Sequence, residues 1–542
     1  MKTVFLSLFI LLMLVFPAIS QGDYVKPRII NTTDLGADPD DQQSMVRFLI
    51  CSNEFDVEGL IVATGCWKTS QSNTGMLDQI VDAYDLVYDN LIIHAEGYPT
   101  PEYLRTITVL GQTAYGMGGV GTGKDSPGSE LIIAAVDKDD PRPVWVMGWG
   151  GVNNVAQAIW KVQETRSSAE LEEFISKLRV FDILGQDDSG AWLTSTLPDL
   201  FYIRATGVYG WAPSDGWIDE NIQDHGSLGA EYPDRQWATE GDTPSYMHVY
   251  PTGLNDPEQI DQGGWGGRFS FTKQANIRGM SKVNEISDES QYDPYYMYTN
   301  TSEGSSAISR WKPSYDNDFE ARMDWSITND YTGANHHPYA VLNGDTTRQV
   351  LETTVPPEST VNLGGEESSD PDDHSLNYRW LYYRDASTYK GSVSILNSRT
   401  AVSTVNVPSD ANGKDIHIIM ELRDSGEPSL YAYRRMIIHV TDNTGTKELQ
   451  SNGFPKKFKI NQNYPNPFNP KTAFNYELPD NSFVTLKIYD MLGQEVITLV
   501  NQRQSAGKYH IAWDADGLSS GIYFIHFKAD DYIQKKKCVL LK

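Results

Sequence analysis

Residues 28 to about 147 alternate between short, continuously apolar runs and longer stretches with an apolar residue every three or four positions. The runs Ile29-Ile30, Val57–Ala63, Leu91–His94 and Val144–Met147 read as strands. The stretches from about Gln42, from Met76 to Val87 and from Ser129 to Val136 read as helices. Helices at Val155–Trp160 and Ser168–Arg179, a strand at Val180–Leu184 and a strand-like run at Leu200–Arg204 continue the alternation. Strands apolar throughout, rather than at every second position, belong to a sheet covered on both faces, so this region is predicted to be α/β with a mostly parallel sheet and helices on both sides. Sites in such sheets gather at the carboxyl ends of the strands. Four polar turns then share one rim: Asp34 to Asp41, Ala63 to Lys68, Gly148 to Asn154 and Gly185 to Ser189.

The pattern changes twice further on. From Gly207 to about Trp325 the chain is rich in Trp, Tyr, Gly and Pro without clear periodicity, which predicts long loops covering the rim, suited either to stacking on a ring-shaped ligand or to packing over the core. From Asn335 to about Asp442 short β-rich runs (Val350–Val355, Thr360–Leu363, Leu376–Tyr382, Ile416–Glu421, Met436–Val440) are spaced by turn-formers, the signal of an Ig-like β-sandwich. The acidic segment Ser369–Asp373 reads as a calcium-rimmed or plain Asx turn between two such strands. A polar linker leads to a third unit of short strands. The predicted boundaries are 1–20, 21–333 (α/β), 334–443 (sandwich), 444–455 (linker) and 456–542 (all-β).

Composition narrows the partners. The 542 residues carry a net charge of −28 and no basic patch of useful size, which argues against nucleic acid. Met1-Lys2, an apolar stretch from Val4 to Pro17 and small residues at Ala18 and Ser20 form a secretory signal peptide over 1–20. Its apolar core is shorter than the roughly 20 residues of a spanning helix and no later stretch reaches that length, so a soluble, exported protein without a transmembrane segment is expected. Of three cysteines, Cys51 and Cys66 sit in apolar segments and Cys538 lies far away, which is no disulfide framework, although a Cys51–Cys66 bridge stays open.

The candidate chemistry centres on Asp34, Asp38, Asp40 and Asp41, four aspartates within one turn. Their mutual repulsion is relieved by a hard divalent cation with oxygen ligands; the other reading is a solvated acidic turn in which Asp40 or Asp41 caps the following helix.

Two resemblances extend this. Tyr464-Pro-Asn-Pro-Phe468, Ile488–Gly493 and Ser519–Phe524, in that order, resemble the C-terminal sorting domain of type IX secretion substrates, which implies export through that machinery to the cell surface or medium. The N-terminal region resembles the nucleoside hydrolase superfamily, whose signature is Asp-x-Asp-Pro-Gly-x-Asp-Asp at the end of the first strand. Thr32-Thr33-Asp34 matches its first half with Thr32 in place of the leading Asp, and Asp40-Asp41 matches the final pair after a turn two residues longer. Residues 28 to about 325 are similar to a secreted branch often labelled cellulose-binding. The resemblance implies calcium held by Asp34, Asp41, the carbonyl of Trp149 and Asp242, with Asp34 as base and Asp40 orienting a sugar hydroxyl. It places Gln186, Asp187 and Asp188 on the sugar. By their position on the rim, Trp67 and Lys68 are candidate ring contacts, Trp67 equally readable as a shield; Asn154 is a candidate sugar contact or a helix cap, and Glu240 a further candidate contact. The family's His before the distant Asp is Gly241 here; separately, His225 in Gln223-Asp-His-Gly226 is a candidate proton donor because histidine titrates near neutrality, the other reading being an ordinary surface residue. Asp38 reads as a turn residue or an outer partner. Two functions follow: a calcium-dependent hydrolase of an N- or O-glycosidic bond on a furanosyl or related sugar, or a non-catalytic carbohydrate-binding protein. The partners are a sugar or polysaccharide and the secretion machinery, and homo-oligomerisation stays open.

Overall fold

The computed structural model describes residues 24–236, 239–441, 447–449, 458–463, 465–479, 482–504, 507–530 and 532–542. The expected signal peptide lies outside the described residues, as does the expected linker apart from 447–449.

An eight-stranded sheet organises the N-terminal part. Its strands are β1 (Arg28–Thr33), β2 (Asp56–Val62), β3 (Thr108–Leu110), β4 (Val144–Gly148), β5 (Leu178–Ile183), β6 (Phe201–Ala205), β7 (Gln274–Ala275) and β8 (Tyr296–Thr299), in the order β3-β2-β1-β4-β5-β6-β8-β7. Neighbours from β3 to β8 run parallel, and only β7 runs antiparallel, on the edge. Successive residues feed opposite cores: Ile29, Trp145 and Met147 pack on one side, Ile30, Val144 and Val146 on the other. Helices α1 (Pro39–Ile50), α2 (Gly75–His94) and α3 (Pro101–Ile107) bring Met45, Leu49, Ile80, Tyr84 and Leu104 to the first side. Helices α4 (Pro127–Val136) and α5 (Asn153–Thr165) bring Ile132, Val136, Val155 and Ile159 to the second. This two-sided burial is why the strands lack polar alternation.

Three expected elements differ. Leu91–His94 is the last turn of α2, not a strand: Leu77, Ile80, Tyr84, Val87 and Leu91 are buried at helical spacing, while Ile92 and Ile93 are exposed. The strand paired with β2 comes later, at Thr108–Leu110. The helix expected to reach Arg179 stops at Ser176, because Leu178 already pairs in β5. The stretch read as loops from Gly207 holds β7, β8, several short helices and a 16-residue helix, Lys312–Ile327. That helix hides its period because it buries Asp318 and Arg322, joined in an ion pair, beside Tyr315 and Phe319.

The β-rich region forms two sheets from β9 (Leu351–Val355), β10 (Thr360–Gly364), β11 (Asn377–Tyr382), β12 (Ser394–Leu396), β13 (Val402–Asn406), β14 (Lys414–Arg423) and β15 (Tyr431–Val440): β10-β13-β12 and β11-β14-β15-β9. The C-terminal region is again all β, in two four-stranded sheets around Phe474, Leu486, Trp513 and Phe527. The chain divides into two compact units, the described residues up to Thr353 with Glu358–Pro408 and Lys414–His439, and Thr354–Pro357 with Ser409–Gly413 and the described residues from Val440 on. All three cysteines are buried and unbridged. Among the described residues no helix is long and apolar enough to cross a membrane.

Candidate active site

Strands β2, β1, β4 and β5 are neighbours, so the loops leaving their carboxyl ends meet. Asp34, directly after β1, is at their centre. A Cβ added to Gly65, in the loop after β2, would lie 2.1 Å from Asp34 Oδ2, and one added to Gly150, after β4, 2.7 Å from Oδ1. Only glycine lets these two loops approach the carboxylate so closely. From the loop after β5, Gln186 Nε2 donates to the Trp149 carbonyl, and its Oε1 reaches the same place beside Gly65.

Helix α1 begins beside this point. Pro39 opens it and Asp40 and Asp41 occupy its first turn, where carboxylates suit the helix dipole. Asp38 is at the N-cap but caps nothing with its side chain. Instead Asp38, Asp40 and Asp41 each offer an oxygen within 4.8 Å of the others. Thr33 Oγ1 donates to Asp41 Oδ1.

Asp242 reaches the cluster from far along the chain, at the start of the helix Thr243–Val249, and Asp41, Asp40, Asp38 and Asp34 are the charges that act on it. Its segment is fastened to α1 at three points: Glu240 N–H donates to Gln43 Oε1 (3.0 Å), Thr243 Oγ1 to Ser44 Oγ (3.0 Å), and Arg47 pairs with Glu240 (2.7 Å). Glu240 is in the left-handed region (φ 48°), and its side chain is buried against Arg47, whereas Asp242 lies among the aspartates. With its carboxylate also accepting from Tyr232 Oη (2.9 Å), Glu240 is consumed by the scaffold.

Burial first, and neighbouring carboxylates second, hold the carboxyls of Asp34, Asp41 and Asp242 well above the usual aspartate range; for Asp40 the order is burial, a hydrogen bond its protonated carboxyl donates to Asp38, then the charge of Asp41. Lys68 opposes the shift at Asp34 and Asp41, with its Nζ bonded to the Leu35 carbonyl (2.9 Å). Both oxygens of Asp34, Oδ1 of Asp38 and Oδ2 of Asp242 are buried without a hydrogen-bond partner. Clustered oxygen donors with orphaned lone pairs and one lysine among them fit a hard divalent cation.

The remaining candidates separate into two groups. Asp187 and Asp188 line the rim: Asp187 Oδ1 accepts from Ser189 N–H (2.9 Å), its Oδ2 is unpartnered, and burial, then Asp188 and Asp182, push its carboxyl up to about 8. Asp188 accepts from Met117 N–H (2.9 Å) and is raised by burial. Trp67 is half exposed, with Lys282 Nζ 5.8 Å from its ring centre. The other group is not presented to the cluster. Asn154 stitches Gln112 N–H to Thr32 Oγ1 (2.7 and 3.0 Å) and does not cap α5. His225 pairs with Asp324 (3.0 Å) on the helix Lys312–Ile327.

The sequence reading missed Tyr209. Its hydroxyl donates to Asp40 Oδ2 (3.4 Å) and it is 39% exposed. A Cβ on Gly241 would lie 2.4 Å from Tyr209 Cε1 and 2.6 Å from Asp40 Oδ2, so the phenol stands where any side chain at 241 would go. Tyr209 follows the carboxyl end of β6, and extending the rim rule one strand further finds it. Asn153, also missed, joins the loops after β2 and β3 by donating to Thr64 Oγ1 (3.0 Å) and the Ala114 carbonyl (2.8 Å).

Comparison with known proteins matches the same three regions. The family described as cellulose-binding Sde182, nucleoside hydrolase-like domain, matches residues 28–269; cellulose-binding protein Sde0182, C-terminal domain, matches 360–440; and the secretion system C-terminal sorting domain matches 462–541. A solved structure of a nucleoside hydrolase-related hypothetical protein from Saccharophagus degradans, associated with carbohydrate metabolism, is 57% identical over 77% of this chain and 100% of its own, with a TM-score of 0.75. A PKD domain from KIAA 1837 protein is 18% identical over 18% of this chain and 87% of its own, but its TM-score of 0.14 carries no argument. No curated protein matches.

Proposed function

The chain belongs to the Sde182 family of nucleoside hydrolase-like proteins, and on that premise we propose that it is a secreted, calcium-dependent hydrolase of an N- or O-glycosidic bond on a furanosyl or related sugar. The observation that carries this reading is the convergence of Asp34, Asp40, Asp41 and Asp242, with orphaned oxygens on Asp34 and Asp242, at the carboxyl ends of a parallel sheet. Asp34, Asp41 and Asp242, with the Trp149 carbonyl, would hold the ion, which when bound acidifies a water and binds sugar hydroxyls. Gln186 keeps that carbonyl in place. Asp34 accepts the proton of the attacking water. Asp40 takes a sugar hydroxyl, and Tyr209 fixes the rotation of its carboxylate. Asp187 and Asp188 present carboxyl oxygens to the sugar, where the anomeric carbon gains oxocarbenium character. Trp67 and Tyr209 offer ring faces to the sugar. The C-terminal sorting domain addresses the chain to type IX export.

Gly241 favours a second reading. No imidazole can occupy that position beside Asp40 while Tyr209 fills it, so assistance to a departing base is lacking there. On this reading the protein keeps the fold and binds polysaccharide without turnover, as the cellulose-binding description of the matched families would have it. One experiment separates the two: the purified protein is incubated, with calcium and with chelator, with inosine, uridine, aryl furanosides and insoluble cellulose. Calcium-dependent release of base or phenol that Asp34→Asn abolishes supports hydrolysis. Retention on cellulose without release from any substrate supports the binding protein and rejects the hydrolase.

A further inference from the structure

A second cluster of metal-competent side chains lies in the β-rich region, in the loop between β10 and β11. Asp370, Asp372 and His374 each place one ligand atom within 4.8 Å of the others. The side chain of Asp370 is 1% exposed. Its Oδ1 accepts from the backbone N–H groups of Asp372 and His374 (3.0 Å each), while its Oδ2 is buried with no partner. His374 Nδ1 is also buried and unpartnered, 3.7 Å from Asp370 Oδ1, too far for a hydrogen bond. Asp372 accepts from His336 N–H (2.7 Å) through Oδ2, and both its oxygens face His336 Nδ1 at 3.0 and 3.1 Å, which leaves lone pairs on the side away from His336.

Two orphaned atoms in one small space need a common partner. A carboxylate oxygen and a neutral imidazole nitrogen cannot satisfy each other without a proton between them, and no hydrogen bond joins Asp370 Oδ2 to His374 Nδ1. A cation can serve both, because two ligands on one ion with bonds of about 2.1–2.4 Å are at most roughly 4–5 Å apart, and these atoms all lie within 4.8 Å of one another. We propose that Asp370, Asp372 and His374 form a second cation site, selective for an imidazole-binding first-row dication such as Zn²⁺. The imidazole makes the difference: calcium takes oxygen ligands only, whereas one imidazole with two carboxylates suits the softer ions. The site is independent of the aspartates around Asp34, whose donors are all oxygens.

The ion has a structural consequence. Asp372 is bonded to His336, whose ring stacks on Tyr331 (3.8 Å, 6°) and Trp325 (5.3 Å, 23°) at the end of the helix Lys312–Ile327 and just beyond it. A metal on Asp372 therefore braces the β10–β11 loop against the α/β part of the same unit.

The test is calorimetric titration of Zn²⁺ into the full chain already saturated with calcium, on wild type, Asp370→Asn, His374→Gln and Asp34→Asn. The expected result is one zinc equivalent bound to wild type and to Asp34→Asn, with affinity reduced at least tenfold in Asp370→Asn and His374→Gln. His374 is only partly buried, so its variant keeps the test valid if Asp370→Asn fails to fold. Zinc binding that is absent from wild type, or unchanged in His374→Gln, overturns the site; displacement of zinc by equimolar calcium overturns its selectivity.

Discussion

Replacing Asp41 by asparagine should change stability in opposite directions depending on whether a cation is present. Asparagine keeps the acceptor used by Thr33 and removes one charge from a group in which Asp38, Asp40 and Asp41 oxygens lie within 4.8 Å. At that separation, and an effective dielectric of about 20, each ionised pair costs about 3 kcal/mol. Burial first, and this repulsion after it, hold the folded carboxyls of Asp40 and Asp41 well above the aspartate value of 3.8, and protons relieve part of the cost. The sign follows: a carboxyl whose pKa is raised on folding contributes stability below the unfolded value and loses it as pH rises through the folded value. In chelator at pH 8, Asp41→Asn should therefore unfold at higher urea than wild type, by about 1–3 kcal/mol, and at pH 4 the difference should shrink towards zero. With calcium at about a hundred times its dissociation constant, wild type should gain about 2.7 kcal/mol and the variant little, closing or reversing the gap. Urea unfolding followed by tryptophan fluorescence, in four buffers, measures all of this. A variant less stable than wild type in chelator at pH 8 would refute the picture of unrelieved repulsion.

Three further outcomes are expected. Arg47→Met strands the Glu240 carboxylate in a site where its other polar partners are neutral, and should cost about 3–5 kcal/mol in urea unfolding. Gly241→His should lower stability by about 1–3 kcal/mol through collision with Tyr209, and adding Tyr209→Ala should recover most of that in a double-mutant cycle read by thermal unfolding. The Asp187 carboxyl is pushed up to about 8 from 3.8, so wild type should lose stability between those values; Asp187→Asn should flatten that part of the pH profile of urea midpoints, and an unchanged slope would count against it.

The parallel sheet was legible because its strands are short, apolar on both faces and separated by amphipathic helices, and the rim followed from the general position of sites in such sheets. Reading Leu91–His94 as a strand failed because four apolar residues fit either element; only the buried series from Leu77 onward shows the helix running through them. The helix Lys312–Ile327 was invisible for a different reason, since its inward face carries a buried ion pair that looks polar in sequence. Among site residues, Asp34, Asp40 and Asp41 were readable from local crowding, and Asp242 through resemblance. Glu240 was misassigned because its neighbour Asp242 faces the cluster, whereas its own partner, Arg47, is almost 200 positions earlier and no local pattern links them. Tyr209 was missed because a lone aromatic in a Trp- and Tyr-rich stretch has no distinguishing context.

The fastening of residues 240–243 to α1 has a mechanical consequence. Asp40 and Asp41 are part of that helix, and Gln43, Ser44 and Arg47 grip the segment that carries Asp242, while Thr33 ties the end of β1 to Asp41. These bonds thus couple the positions of the acidic groups to one another. A shift of α1 is therefore passed on to Asp242, and to Tyr209 through its bond to Asp40, whereas Trp67 stands exposed on the separate loop after β2.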